Sequence, residues 1–305
     1  MNNLSVVIPS YKRGSVLLDT VEFLRAQESQ ADEIIVVDQT KYADSDSVFI
    51  KLKKLDDQKI IRWLRRDEPS IPKAMNHGLL NAKNDYVLFL DDDIKLATTF
   101  ISAHIKAFKK HDCAAQVGQV LQPKQLPCSL PKGYSPGEGV MADMEFVFSS
   151  DKATFIQNCM AGNLCVKRQD ALDVGGFDEN FVGAAYRFET EFCRRLIRFT
   201  SKPFYFFPDA VLYHLQYASG GTRHVGHQLI ASSAHHSVGD YYYAMLESSG
   251  ITCMRYCLIR FIFSIKAKFY LKKPWYIPVR LVAEVRGYFL ARKLKKQGPS
   301  LLSEY

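Results

Sequence analysis

The apolar run Val87-Leu88-Phe89-Leu90 leads directly into Asp91-Asp92-Asp93, and this is the most informative stretch of the chain. Four consecutive apolar residues are typical of a strand that is buried on both faces of a parallel sheet. In open α/β sheets, ligands bind just beyond the carboxyl ends of such strands. Adjacent carboxylates repel one another unless they are solvated or neutralised, and their hard oxygen ligands suit Mg²⁺ or Mn²⁺. The stretch therefore predicts a cation site at one sheet edge, with a solvated acidic turn as the alternative.

Strands and helices alternate on both sides of this run. The remaining predicted strands are Leu4–Pro9, Glu33–Val37, Lys59–Leu64, Ala114–Leu121, Asn163–Val166, Tyr205–Phe207 and Ala210–Leu215. The predicted helices are Ser15–Gln27, Ser45–Leu55, Ser70–Ala82, Thr98–Lys110, Arg168–Val174 and Thr190–Phe199. The alternation predicts an α/β fold with a doubly wound, mostly parallel sheet. Because Asp38 and Asp91 both follow strands, we expect them at the same sheet edge, within reach of one ligand.

Positive charge is concentrated near the end of the chain. The whole sequence of 305 residues has a formal net charge of +8. Residues 251–300 contain twelve Lys and Arg and one acidic residue, Glu284, so they contribute +11 and the rest of the chain contributes −3. We therefore predict two domains: a catalytic domain over residues 1–228, and a helical, basic and aromatic region over residues 229–305.

The basic region has three interpretations. Cations interrupt every apolar window, so no run reaches the roughly 18 apolar residues of a membrane-spanning helix. An interfacial helix pair on an anionic membrane surface fits the mixture of cations and aromatic residues. A helical cap packed on the catalytic domain is the main alternative. Nucleic acid is disfavoured as a partner, because no recognised binding motif accompanies the charge.

Cysteine usage and the start of the chain bear on the compartment. The seven cysteines are odd in number and include no Cys-x-x-Cys pair, which indicates neither a disulfide framework nor a zinc site. The first predicted strand begins within a few residues of Met1, so we expect no cleaved signal peptide. These features predict a cytoplasmic protein, peripheral on the inner face of the plasma membrane if the basic region binds lipid.

Seven short motifs follow one another in a characteristic order. They are VVIPSYKR (residues 6–13), Asp38, KAMNHG (73–78), FLDDD (89–93), GNLCVKR (162–168), GGFDE (175–179) and ETEFCRRL (189–196). Each motif alone is weak, but their order and spacing resemble the family 2 glycosyltransferases over roughly residues 4–224. The resemblance implies a GT-A fold and sugar transfer from a nucleoside-diphosphate sugar with inversion.

The resemblance also implies roles for individual residues. Pro9 and Tyr11 would flank the nucleotide base, and Asp38 would accept a hydrogen bond from a ring N–H. Asp91 and Asp92 would face the ribose and the sugar, and Asp93 would ligate Mn²⁺ or Mg²⁺. A carboxylate can accept a hydrogen bond from an imide N–H or a ribose hydroxyl, but it repels phosphate. A metal ion bound between the carboxylate and the phosphate reverses that repulsion.

Four further residues complete the predicted site. Lys73 and Asn76 match positions near the diphosphate or the sugar, although Lys73 is also interpretable as a surface lysine. His214 is predicted as a second protein ligand to the metal, with a core histidine as the alternative. Arg223 is predicted to reach the diphosphate as a bidentate partner.

The predicted catalytic base departs from the family pattern. The family closes a Glu-Asp pair before the corresponding helix, whereas this chain has Phe188-Glu189. Glu189 keeps a carboxylate that can deprotonate an acceptor hydroxyl, and we predict it as the base. Glu191 is the competing candidate, on a different side of the helix.

The resemblance therefore implies a metal-dependent transferase, and we expect it to act in bacterial surface polysaccharide assembly. UDP is favoured as the donor nucleotide, with dTDP and GDP as alternatives, and the sugar is left open. The predicted acceptor is a glycan or a polyprenyl-diphosphate-linked glycan. Phe188 motivates a second hypothesis, a catalytically inactive binding or scaffold protein. A sugar nucleotidyltransferase is the third, disfavoured because the first strand lacks a following Gly-rich loop.

Overall fold

A nine-stranded sheet forms the centre of the computed structural model, which describes residues 3–224 and 228–302. The strands are β1 (Leu4–Ser10), β2 (Glu33–Asp38), β3 (Arg62–Arg65), β4 (Tyr86–Leu90), β5 (Ile94–Leu96), β6 (Ala115–Leu121), β7 (Thr154–Ile156), β8 (Asn163–Lys167) and β9 (Phe204–His214). Their order across the sheet is β3-β2-β1-β4-β8-β6-β9-β5, and β7 pairs with β9.

Most of the strands run in one direction. The strands β1 to β4 are mutually parallel, and β6 and β9 share their direction through the antiparallel strand β8. Only β5, β7 and β8 run the opposite way within the described residues. The predicted α/β fold with a mostly parallel sheet is confirmed. The carboxyl ends of β1, β2 and β4 therefore meet at one edge.

Ten α-helices surround the sheet in the described part of the chain. They are α1 (Ser15–Arg25), α2 (Ser47–Asp57), α3 (Ile71–Asn81), α4 (Phe100–Lys110), α5 (Arg168–Asp173), α6 (Phe188–Thr200), α7 (Val238–Glu247), α8 (Gly250–Phe263), α9 (Lys268–Lys272) and α10 (Tyr276–Gln297). Local signals start two of them: the Asp46 carboxylate accepts from Val48 N, and Pro72 occupies the first turn of α3. None of these helices combines the length and the apolar composition needed to cross a membrane.

Both faces of the sheet are buried. Leu88 packs in a hydrophobic cluster with Phe100, whereas its neighbour Phe89 packs in a second cluster with Phe177. Consecutive residues of one strand point to opposite faces, so a continuous apolar run is what a strand covered on both sides requires. The second cluster also contains Tyr241 and Leu294, which belong to α7 and α10.

Three differences between the structure and the predicted elements bear on the sheet or the site, besides shifts of two or three residues at the ends of other elements. The short strands β5 and β7 were not predicted, because three residues are too few to show a period. The predicted strands Tyr205–Phe207 and Ala210–Leu215 form the single strand β9. Its pairing with β6 shifts register between Gly118 and Gln119, and this shift accommodates Pro208. Helix α6 begins at Phe188, two residues before its predicted start, so Glu189 lies in its first turn.

Direct contacts join the two predicted domains. The Ser300 carbonyl accepts from Glu179 N, and Leu302 N donates to the Gly175 carbonyl. The Tyr242 hydroxyl donates to the Asp178 carboxylate at 2.8 Å. The turn at residues 175–179 is therefore held by the chain beyond α10. Residues 1–2, 225–227 and 303–305 of the predicted domains lie outside the described residues.

Candidate active site

A cleft opens at the carboxyl ends of β1 and β4. Eight of the predicted site residues line it: Pro9, Tyr11, Asp91, Asp92, Asp93, Glu189, His214 and Arg223. They come from five separate segments of chain, which meet because parallel strands end at the same edge. Asp38, Lys73 and Asn76 are not among the lining residues.

His214 and Asp93 form the polar centre of the cleft. The last residue of β9, His214, pairs with Ile94 of β5, which places its ring beside the acidic triplet. Its Nε2 lies 3.1 Å from Asp93 Oδ1 and 3.9 Å from Asp91 Oδ2. Its Nδ1 lies 2.9 Å from the side-chain oxygen of Gln122, which only accepts, so Nδ1 carries a proton.

This arrangement suits a cation. A neutral ring protonated at Nδ1 presents the lone pair of Nε2 to the carboxylates, and that contact is repulsive unless a proton or metal ion lies between them. Burial disfavours the charged ring, but Asp93 and Asp91 outweigh burial and raise the pKa of His214. Burial also disfavours the Asp93 carboxylate, but His214 and Arg13 outweigh it and lower the pKa of Asp93.

The metal ligands available in the cleft fit a divalent ion that also binds the phosphates of a substrate. Within residues 3–224 and 228–302, no group of three or more His, Cys, Asp and Glu side chains is arranged to hold a metal. Mg²⁺ usually binds one or two carboxylates together with water and substrate phosphates, rather than an all-protein cage. The residues that would hold such an ion are Asp93 and His214, with Asp91 beside them.

Arg13 is a site residue to which the sequence analysis assigned no role. Its guanidinium contacts the Asp92 carboxylate at 2.9 Å and the Asp93 carboxylate at 3.3 Å. It also donates to the carbonyl oxygens of Tyr217 and Ser219, both at 2.9 Å. Arg13 therefore neutralises part of the triplet and fastens the loop after β9 to it. Its position three residues beyond β1, at the edge that bears the triplet, was the available signal.

Gly162 lies directly against Asp91. A Cβ atom at this position would be 2.1 Å from Asp91 Oδ2, so any side chain would displace the carboxylate. The backbone of the segment before β8 therefore sets the position of Asp91. Close backbone approach is a common reason for glycine at a binding site.

The Glu189 side chain faces the cleft with one free oxygen. Its Oε1 lies 3.6 Å from the Arg223 guanidinium, and its Oε2 is buried with no hydrogen-bond partner among the described residues. Burial raises the pKa of Glu189, whereas the charge of Arg223 lowers it. A buried carboxylate with an unoccupied oxygen is suited to accept a proton.

Glu191, the competing candidate, is already paired. Its two carboxylate oxygens contact the Arg195 guanidinium at 2.5 and 2.7 Å, one turn further along α6. Glu191 does not line the cleft. The two glutamates therefore project to different sides of α6, as predicted from their spacing.

The three predicted residues outside the cleft lining have partners elsewhere. The buried Asp38 carboxylate accepts from Thr40 N at 2.9 Å and from the Trp63 indole at 3.3 Å. Lys73 contacts Glu68 at the surface. Asn76 is buried and exchanges two hydrogen bonds with the Phe177 backbone, both 2.8 Å long. Asn76 thus holds α3 against the turn at residues 175–179.

The sequence model of glycosyl transferase family 2 matches residues 5–160, just over half of the chain. This chain belongs to glycosyl transferase family 2. The resemblance predicted from the sequence is confirmed. The matched range contains the ends of β1 and β4 with the acidic triplet. Glu189, His214 and Arg223 lie beyond residue 160, so their place in the site rests on the folded structure.

Two bacterial relatives are similar to this family 2 member. The GalNAc(5)-diNAcBac-PP-undecaprenol beta-1,3-glucosyltransferase of Campylobacter jejuni is 31% identical over 186 residues, which are 60% of this chain and 57% of that protein. Glycosyltransferase GlyG of Streptococcus pneumoniae is 25% identical over 115 residues, 38% of each protein. The chain thus spans less than two thirds of either relative.

Solved structures show the same fold. S. aureus TarS 1-349 in complex with UDP-GlcNAc aligns with a TM-score of 0.60 and 14% identity, over 97% of this chain and 92% of that chain. The mannosyltransferase PcManGT of Pyrobaculum calidifontis, in complex with GDP-Man and Mn²⁺, aligns with a TM-score of 0.55 and 16% identity, over 97% and 79%. At such identities the likeness shows the fold alone, and the predicted GT-A fold is confirmed.

Proposed function

We propose that this family 2 member is an inverting glycosyltransferase that moves a sugar from a nucleoside-diphosphate sugar to an acceptor hydroxyl. The observation that supports this most strongly is the meeting, in one cleft, of a carboxylate with a free buried oxygen and an acidic triplet beside a histidine. The first group suits proton removal, and the second suits a cation that binds a diphosphate.

The reaction is a single displacement at the anomeric carbon. The Glu189 carboxylate accepts the acceptor hydroxyl's proton as the new C–O bond forms. The bond between the anomeric carbon and the diphosphate oxygen breaks, and its electron pair leaves with the nucleoside diphosphate. Arg223 lies beside Glu189 and offers its guanidinium to the leaving diphosphate. An Mn²⁺ or Mg²⁺ ion held by Asp93 and His214 would supply Lewis-acid neutralisation of the negative charge on the leaving diphosphate.

The proposed donor is a UDP-sugar, and the proposed acceptor is a glycan or a polyprenyl-diphosphate-linked glycan in bacterial surface polysaccharide assembly. The names of the relatives support these choices: TarS was solved with UDP-GlcNAc, and the Campylobacter protein is named for an undecaprenol-linked acceptor. PcManGT was solved with GDP-Man, so GDP-sugars belong in the donor panel.

The experiment begins with the donor. Thermal melting of the full chain with MnCl₂ and UDP-glucose, UDP-GlcNAc, UDP-GalNAc or GDP-mannose identifies the nucleotide sugar that stabilises the protein. Release of nucleoside diphosphate is then measured with that donor and an undecaprenyl-diphosphate-linked N-acetylhexosamine. We expect Glu189→Gln to keep the donor-induced shift and lose about 10²- to 10⁴-fold in turnover. Asp93→Asn should abolish the Mn²⁺-dependent part of the shift.

Glu191→Gln is the matched control, because it makes the same change on the same helix away from the cleft. It should keep turnover in the fraction that folds. Retained turnover in Glu189→Gln, with loss in Glu191→Gln, would assign the base to Glu191. Donor binding without release of nucleoside diphosphate from any donor would instead support a binding or scaffold protein.

A further inference from the structure

Helix α8 leaves an unusual amount of apolar surface uncovered. None of its 14 residues is buried. Its exposed apolar side chains include Ile251, Met254 and Leu258, which are 83%, 71% and 60% exposed. Large exposed apolar surfaces on a folded protein mark sites that contact a partner or a membrane.

These side chains line one wall of an open groove. Met254 and Leu258 lie on the same face of α8 and line the groove on one side. Val285 and Phe289 of α10 also line it, and both are exposed. Tyr241 of α7 lies in the same groove. We call the exposed faces of α8 and α10 that border this groove the α8–α10 surface.

Cations surround the apolar residues. Arg255, Arg292, Lys295 and Lys296 border the groove, and all four are exposed. Of the twelve Lys and Arg in residues 251–300, ten are exposed, whereas Arg260 and Arg280 are drawn inward to the only acid, Glu284. The solvent-facing charge of this range is therefore +10.

The segment from residue 271 to residue 275 also combines exposed apolar side chains with exposed lysines. Leu271 is 86% exposed and Trp275 is 65% exposed, and the intervening Lys272 and Lys273 are also exposed. Exposed Trp and Leu beside lysines are typical of segments that lie at the boundary between lipid headgroups and acyl chains.

We propose that the α8–α10 surface docks on an anionic lipid bilayer. A second copy of the chain would bring +10 against +10, and nucleic acid would leave Met254 and Leu258 without apolar contacts. Anionic lipid offers negative headgroups to the cations and acyl chains to the apolar residues. The surface contains neither Glu189 nor the acidic triplet, so this proposal stands independently of the proposed function.

Vesicle flotation tests the proposal. The full chain is mixed with phosphatidylcholine vesicles, with or without 30% phosphatidylglycerol, and centrifuged through a density step. We expect flotation only with phosphatidylglycerol, and a loss of flotation as salt rises. The pair Met254→Glu and Leu258→Glu should abolish flotation, and the pair Lys295→Gln and Lys296→Gln should weaken partitioning roughly 25-fold, about fivefold for each cation.

Ile50→Glu is the control, because Ile50 is also an exposed apolar residue but lies on α2, away from the α8–α10 surface. This variant should float like the unchanged protein, and all variants should keep their melting temperature and donor-induced shift. Equal flotation with both vesicle types, no flotation, or flotation unaffected by the two glutamates would overturn the proposal. If the unchanged protein is a dimer by light scattering and does not float, and if Met254→Glu with Leu258→Glu makes it a monomer, the surface would instead be assigned to a second copy of the chain.

Discussion

At the scale of single residues, the site depends on which carboxylates are already paired. Arg13 contacts Asp92 and Asp93, and Arg195 holds Glu191, whereas Glu189 keeps one buried oxygen free. The free oxygen distinguishes the proposed base from its neighbour two residues away. Phe188 is buried against Phe177, and Glu189 is the α6 carboxylate that lines the cleft.

The raised pKa of Glu189 predicts how activity depends on pH. A general base acts in its ionised form, so kcat/KM should fall as pH decreases through a pKa above the usual 4.5 of glutamate. Arg223 favours the ionised form, so Arg223→Gln should move this acidic limb to higher pH. The midpoint of the limb is read from the pH profile of kcat/KM.

Arg198→Gln is the control for this profile, because Arg198 lies on α6 but contacts Glu247. It should leave the acidic limb in place. A limb that does not move in Arg223→Gln would show that Glu189 is not the group that titrates.

The sequence predicts much of the site because the ends of apolar strands can be recognised from the residue pattern. The triplet and Tyr11 follow apolar strands and His214 ends one, and the structure brings them together with Glu189. The Trp63 partner of Asp38 and the Phe177 partner of Asn76 were not predictable, because they lie 25 and 101 positions away along the chain. No local pattern specifies such pairs.

At the scale of elements, α6 begins under constraint. Arg187, its N-cap, has φ of 73°, a left-handed conformation that is costly for a residue with a Cβ, and it provides no side-chain cap. Its guanidinium contacts Asp240 of α7 at 3.0 Å, and the other oxygen of Asp240 contacts Arg260 of α8 at 3.0 Å. Asp240 therefore links two helices of the basic region to the turn that presents Glu189.

Asp240→Asn should destabilise the protein. The change removes the charge that Arg187 and Arg260 share, while Arg260 keeps Glu284, and losing a partly buried charged hydrogen bond costs about 1.5–3 kcal/mol. Urea unfolding should show a lower midpoint with an unchanged slope.

Asp112→Asn is the control for this substitution, because it removes an exposed partner of Lys202. It should leave the unfolding midpoint unchanged. An Asp240→Asn midpoint equal to that of the unchanged protein would show that the link does not hold α6.

At the scale of the whole molecule, the basic region contributes to the hydrophobic core of the predicted catalytic domain. Tyr241, Tyr242 and Tyr243 of α7 are buried in the same hydrophobic cluster as Phe188 and Phe192. The sequence predicts separate regions because the charge changes abruptly near residue 251. Charge patterning reports the surface of a helix, however, and the shared core lies on the opposite faces of α7 and α10.

A fragment of residues 1–228 should therefore fail to unfold cooperatively. Fully burying a large apolar side chain contributes about 1.5–3 kcal/mol, so the three tyrosines together contribute roughly 5–9 kcal/mol. This is comparable with the whole stability of a typical domain, about 5–15 kcal/mol. Circular dichroism during heating is the measurement, with the full chain as reference. A sharp transition in the fragment near that of the full chain would contradict the prediction.

The contact between Arg13 and the Tyr217 carbonyl also bears on when the cleft forms during folding. The two residues are 204 positions apart. Closing a loop of that length costs more entropy than any local contact, so such pairings form slowly. Early intermediates with strands and helices in place would still lack a finished cleft. A nucleotide sugar would then select the completed native state alone and shift the folding equilibrium toward it by mass action.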